Sequence, residues 1–152
     1  MSKYGKFLAL LNELNIDFNV PDVYGRTSIF FAAKCSKPDV RLAREKQLIR
    51  LGARASATDI RGQTALNSVL ADAAVTRVLI ENGANPNLLD SSGFGPIHYA
   101  ATTGDRTALQ NLIAGGADIS LRTSHGNTAE ELASSAGHAA IAAWLRAESR
   151  RR

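Results

Sequence analysis

Cysteine, tryptophan, proline and aromatic residues are all scarce in this chain. Its 152 residues include one cysteine, one tryptophan and four prolines, and only 6% are aromatic. The single Cys35 excludes an internal disulfide and fits a reducing, cytoplasmic compartment. Few aromatics beside abundant alanine and leucine suit packed helices better than sheets. No apolar run approaches the roughly 20 residues of a membrane span. The start, Met1 to Lys6, is basic, but Asn12 and Glu13 interrupt the apolar run that follows. With no small-residue cleavage site after it, no signal peptide is expected. Three histidines and one cysteine, widely scattered, give no expected metal site. No carboxylates pair at one place. Gly93-Phe94-Gly95 lacks the glycine spacing and the lysine of a phosphate loop. Cys35 lies among cations but has no evident partner base. No catalytic residue, metal or cofactor is therefore expected, and the chain reads as a non-enzyme.

What is present is repetition. The segments starting at Asp22, Asp59, Asp90 and Thr123 align, and their glycines Gly25, Gly62, Gly93 and Gly126 lie 37, 31 and 33 residues apart. A second register keeps step with the first: Leu51-Gly52-Ala53, Asn82-Gly83-Ala84 and Gly115-Gly116-Ala117. The clearest unit runs from Asp90 to Arg122. It predicts a short helix, a tight turn at Gly104, an antiparallel helix and a glycine stop. Pro96-Ile97-His98-Tyr99-Ala100-Ala101, with Gly95 before it, resembles the ankyrin repeat, whose period is about 33 residues. The stretches after Thr27 and Thr64 are more diverged. The resemblance covers roughly Lys6 to Leu145. It implies an all-α solenoid of helix-turn-helix units joined by short β-hairpin-like loops. The expected division is a partial repeat over 1–21, repeats over 22–58, 59–89 and 90–122, a capping repeat over 123–147 and a frayed tail over 148–152.

Local chemistry agrees with this register. Thr27, Thr64 and Thr128 are expected to cap the first helix of their units. Gly52, Gly83 and Gly116 stop the second helices in the left-handed region, and Asn15 fills that slot after an outer helix over Lys6–Leu14. Ala32-Ala33 and Ala100-Ala101 allow close helix approach. The second unit is about four residues longer than the reference unit, assigned to Cys35–Asp39. The third is two shorter, assigned to the turn at Ala71–Ala74. In the cap, Ile141, Trp144 and Leu145 face inward, and Ala142 is placed with the exposure-tolerant alanines. By the resemblance, His98 and His138 brace turns.

Function then rests on recognition. Carrying the family's variable loop-tip positions over gives Val23, Tyr24, Arg26, Ile60, Arg61, Gln63, Ser92, Phe94, His125 and Asn127. The inner helices add Phe31, Lys34, Tyr99 and Thr102. Phe94 is read as solvent-facing. Aromatic and arginine side chains are favoured interface anchors. Between Arg26 and Arg61 nine basic residues face three acidic ones, which suits an acidic partner. The resemblance implies a module that binds one protein through its concave face, inhibiting or neutralising it as small bacterial immunity proteins do. So short an array is expected to carry no effector domain and to be monomeric when free. Nucleic-acid binding through residues 26–61 is the alternative, disfavoured because aromatics are not interleaved there. A scaffold role in a larger assembly is another.

Overall fold

A computed structural model describes residues 6, 10 and 13–151. Seven α-helices and one 3-10 turn lie among them: α1 Ser28–Ala33, α2 Pro38–Arg50, the 3-10 turn Ala65–Ser68, α3 Ala73–Glu81, α4 Pro96–Thr102, α5 Arg106–Ala114, α6 Ala129–Ser135 and α7 Ala139–Ser149. Among the described residues β structure is confined to two isolated antiparallel bridges, Thr58–Thr64 and Arg122–Thr128. The architecture is the expected all-α solenoid. Short inner elements stack on one side and outer helices α2, α3, α5 and α7 on the other. Ile29, Leu66, Leu79, Ile97, Leu109, Leu112 and Leu145 make one continuous buried seam.

Three of the four outer helices, α2, α3 and α5, stop in the same way. Gly52, Gly83 and Gly116 have φ of +91°, +100° and +90°. The next amides, of Ala53, Ala84 and Ala117, donate back to the carbonyls of Leu48, Leu79 and Leu112 at 2.9 Å. This back-bonded stop satisfies otherwise orphaned carbonyls and buries an alanine against a leucine. Asn15 takes the same left-handed conformation, φ +56°. Four residues on, Asn19 accepts from the Arg54 amide and donates to the Gly52 carbonyl. Asn87 occupies the equivalent place and bonds the Asp118 amide and the Gly116 carbonyl likewise. Asn19 thus joins the segment after Asn15 to the stop at Gly52 as Asn87 joins its segment to Gly116, while most of the expected outer helix Lys6–Leu14 lies outside the described residues.

The departures in length fall elsewhere than expected. Ten positions separate Thr27 from Lys37 and also Gly95 from Asp105, the residues preceding the two helices of each unit. The four extra residues of the second unit are therefore in its outer helix, not in the turn Cys35–Asp39. Helix α2 has 13 residues where α3 and α5 have 9. Four residues add about one helical turn, so the buried face keeps its direction. In the third unit the loss is in the inner element. A four-residue 3-10 turn replaces the six- and seven-residue helices of its neighbours.

Capping also differs. Thr128 forms a full capping box with Glu131. At Thr64 the brace comes from the Asn67 amide oxygen, which accepts from the Thr64 amide at 3.1 Å. Thr27 makes no cap bond, and its buried hydroxyl has no hydrogen-bond partner among the described residues. In the last unit Ala142 is buried, because it faces the seam beside Ile141 and Leu145. Helix α7 runs to Ser149, past the expected start of fraying, and Arg151 pairs with Glu148.

Helix α2 holds an unusual group. Glu45 is fully buried, and neither carboxylate oxygen has a hydrogen-bond partner among the described residues. Arg41, one turn earlier, is turned away to the Cys35 carbonyl and to Asp72. Burial pushes the Glu45 carboxyl up to about 8, with Arg41 only partly opposing it. The folded state therefore holds a proton that the unfolded state releases above the ordinary value of 4.5. The contribution of Glu45 to stability is therefore greatest below that value and is lost as pH rises toward 8.

Two outcomes follow from this core. Wild-type stability in urea should fall by on the order of 3 kcal/mol between about pH 5 and about pH 8, and Glu45→Gln should flatten that dependence. A wild-type protein equally stable at both would rule out an unpaired buried carboxyl. Separately, Leu112 is fully buried, so Leu112→Ala should cost roughly 2–5 kcal/mol in the same measurement.

Candidate binding face

The loop tips are built by one repeated device. The Oδ1 atom of Asp22 accepts from the amides of Tyr24 and Arg26, both at 2.9 Å. Asp59 does the same for Arg61 and Gln63, and Asp90 for Ser92 and Phe94. In the last loop the Thr123 hydroxyl takes the Asn127 amide. Each tip then bonds the next: the Ile60 amide to the Tyr24 carbonyl at 2.9 Å, Ser91 to Arg61 at 2.7 Å and Ser124 to Gly93 at 3.1 Å. Successive tips approach so closely that a Cβ on Gly93 would overlap the Ser124 side chain. The side chains on the tips are therefore held in a row.

At the first two tips six of the expected residues meet. Tyr24, Arg26, Lys34, Ile60, Arg61 and Gln63 line one groove of about 410 Å³, completed by Phe30, Asp59, Thr64 and Ser68. Val23 stands beside it, 86% exposed, and Ile60 is 67% exposed. Tyr24 and Phe31 are 55% and 51% exposed. Between their rings lies the Arg26 guanidinium, 4.7 Å from the centre of Tyr24 and 5.2 Å from that of Phe31. Its Nε and Nη2 atoms donate to Asp22 Oδ2 at 3.0 and 2.7 Å. That bond holds the Asp22 carboxyl below the usual carboxylate range. Arg26 thus fixes two aromatic faces and has its charge already met. Lys34 and Arg61 are exposed and in no ion pair among the described residues.

The next two tips are different in kind. Phe94 is half-buried, not solvent-facing. Its ring packs edge-on to His98 at 5.9 Å and tilted on Tyr99 at 5.5 Å. The Tyr99 hydroxyl donates to Asp90 Oδ2, and Gln63 donates to the same oxygen at 2.8 Å. Burial alone would raise the Asp90 carboxyl, but the Tyr99 and Gln63 bonds with the loop amides hold it low. Burial and the same Asp90 bond raise the Tyr99 hydroxyl. His98 accepts from the Gly95 amide through Nδ1, and its Nε2–H donates to the Leu121 carbonyl, both at 2.9 Å. Burial lowers its pKa, partly opposed by the bond to the Leu121 carbonyl. His138 donates to the Thr102 carbonyl at 3.1 Å. Both histidines brace the stack. Thr102 spends its hydroxyl on the His98 carbonyl. Ser92, His125 and Asn127 are exposed at separate tips and do not join the first groove.

Sequence reasoning omitted Asp22, Asp59, Phe30 and Ser68. The spacing of Asp22 four residues before Arg26 matched that of Asp59 and Asp90 in their loops, and that repeat was the available signal. No three His, Cys, Asp or Glu side chains converge as a metal set among the described residues. No described helix is long and apolar enough to cross a membrane.

Comparison with known proteins agrees with this geometry. Residues 79–133 match the family described as ankyrin repeats (many copies). The chain is 36% identical over 119 residues to an intracellular phospholipase A2 of Caenorhabditis elegans, covering 72% of this chain and 11% of that protein. It is 31% identical over 120 residues to ankyrin repeat domain-containing protein 63 of Mus musculus, covering 75% and 31%. It is 30% identical over 102 residues to cyclin-dependent kinase inhibitor 2A of Monodelphis domestica, covering 66% and 60%. The chain thus spans less than two thirds of each of these relatives.

Asp90 joins two tips and one inner helix, so Asp90→Ala should destabilise the array by roughly 2–3 kcal/mol, the range for losing charge-assisted bonds. A Tyr99→Phe variant should lose less. Chemical denaturation checks both, and equal small losses would remove Asp90 from this role.

Proposed function

Because the chain is an ankyrin-repeat protein, a family that generally binds proteins and does no chemistry, we propose that it works as a non-catalytic module. It docks one protein partner on its concave face and acts by masking what it covers. The observation that carries this is the groove of Tyr24, Arg26, Ile60 and Arg61, where large apolar side chains stand exposed on backbone that hydrogen bonds hold fixed. Exposed apolar groups cost solubility, Tyr24 stacks on the Arg26 guanidinium and not into the core, and a rigid aromatic loses little entropy on binding. Inhibition or neutralisation of the partner is the simplest consequence of covering a surface. One relative's name, cyclin-dependent kinase inhibitor 2A, is consistent with that mode. Immunity-protein-like neutralisation is one form of it.

Tyr24→Ala with Ile60→Ala tests the reading, since both side chains are exposed and should leave the melting temperature nearly unchanged. Affinity for a partner captured from the native organism should drop on the order of tenfold to a hundredfold, the usual range for interface anchors. Undiminished binding would exclude this face.

A further inference from the structure

Two properties of the surface are polarised the same way along the array. Every exposed large hydrophobic side chain among the described residues lies at or before Leu89: Leu10, Leu14, Ile16, Val20, Val23, Tyr24, Phe31, Ile60 and Leu89. From Asp90 to Arg151 there is none. Charge follows the same division. Residues 22–72 hold nine lysines and arginines against Asp22, Asp39, Asp59 and Asp72, with Glu45 as a fifth acid. Glu45 is buried and protonated at neutral pH, so nine minus four leaves five net positive charges. Residues 90–152 hold six arginines and six acids, a net of zero. The aromatics of the second half, Phe94 and Tyr99, are engaged with His98 and Asp90. Its exposed face offers Ser92, Thr102, Thr103, Ser124 and Asn127.

From this we infer that the proposed partner engages the array through an acidic segment bearing an apolar anchor, seated on the first two loop tips, while the second half serves as its rigid support. The inference rests on the protein-binding reading above and narrows it. The groove's geometry gives each part a place. An aliphatic or aromatic side chain would lie against Ile60 and Tyr24, whose exposed side chains line the groove. Carboxylates on either side would meet Lys34 and Arg61, the two groove cations not already paired. Arg26 positions the aromatic faces and contributes little free charge, because Asp22 holds it. Asp59 is the one acid in the groove, and its Oδ1 is spent on the Arg61 and Gln63 amides. An apolar anchor flanked by acids fits a mixed groove of this kind better than a uniform polyanion does. Nucleic acid would leave Ile60 and Val23 uncovered.

The test is selection of short random peptides displayed on phage against the whole protein. The selected peptides are then measured against wild type, Lys34→Glu with Arg61→Glu, and the milder Lys34→Gln with Arg61→Gln. Enriched peptides should combine aspartate or glutamate with an aliphatic or aromatic residue. They should bind the double glutamate variant on the order of tenfold more weakly and lose affinity with added salt. Replacing their acids by lysine should restore binding to that variant. Amide chemical shifts should move at Val23, Tyr24, Ile60 and Arg61. Peptides without an acidic excess, or peptides that shift Tyr99, Thr102 and Asn127 instead, overturn this inference and leave concave-face binding standing. A selection that enriches nothing, or only peptides indifferent to substitutions anywhere on that face, overturns both. A single-stranded oligonucleotide that binds more tightly than any enriched peptide, and is lost on the same charge reversal, assigns the patch to nucleic acid and overturns the acidic-segment inference.

Discussion

The structure depends on the close approach of successive loop tips. Each rung is one amide donating to the carbonyl of the preceding tip: Ile60 to Tyr24, Ser91 to Arg61, Ser124 to Gly93. A rung forms only if both tips hold their shape, and the aspartates at 22, 59 and 90 impose it by gathering two amides each. With the tips fixed, the inner elements must lie side by side, and the leucine seam closes behind them. No unit could bury its apolar face alone, since helices of this length are marginal in water. Order at the loops and burial at the helices are therefore one event.

That dependence explains the division of labour among side chains. A residue at a tip can serve the rung, the neighbouring tip or a partner, and its chemistry decides which. Asp90, Gln63 and Tyr99 close a polar link across two units and are occupied by it. Tyr24 and Ile60 supply rung atoms only through their backbones, so their side chains are free to face outward. Arg26 lies between these cases, with its charge bound to Asp22 and its flat face stacked between two rings.

Much of the architecture was legible in the sequence because two glycine registers repeat together. The left-handed stops follow directly from them, the histidine brace at His98 follows from the family resemblance, and Asn15 fits because asparagine tolerates that backbone. The positions of the length changes were not legible. A count from threonine to glycine gives only the total. Whether four residues go into a turn or a helix depends on where Pro38 and Lys37 fall against the neighbouring unit. On the binding face, six of the positions carried over from the family line the groove at the first two tips. The exposure of Phe94 was misjudged, since a phenylalanine two residues before a proline gives no sign of whether its ring folds back onto the following helix. The pairing of Arg26 with Asp22 was hidden for a different reason: the repeat marks the loop aspartate, but the residue four positions on is Gln63 or Phe94 in the next two units, so no ion pair recurs.

The buried Glu45 gives the array a direction. In a stack where each unit touches only its neighbours, opening starts wherever the local interface is weakest. An acid that must keep its proton to remain buried makes α2 sensitive to alkali, at the same end as the exposed apolar groove. Folding at neutral pH is then accompanied by proton uptake, and alkalinity loosens the recognition end before the polar half that supports it. The molecule is in this sense graded along its axis, firm where it is plain and yielding where it is equipped to bind.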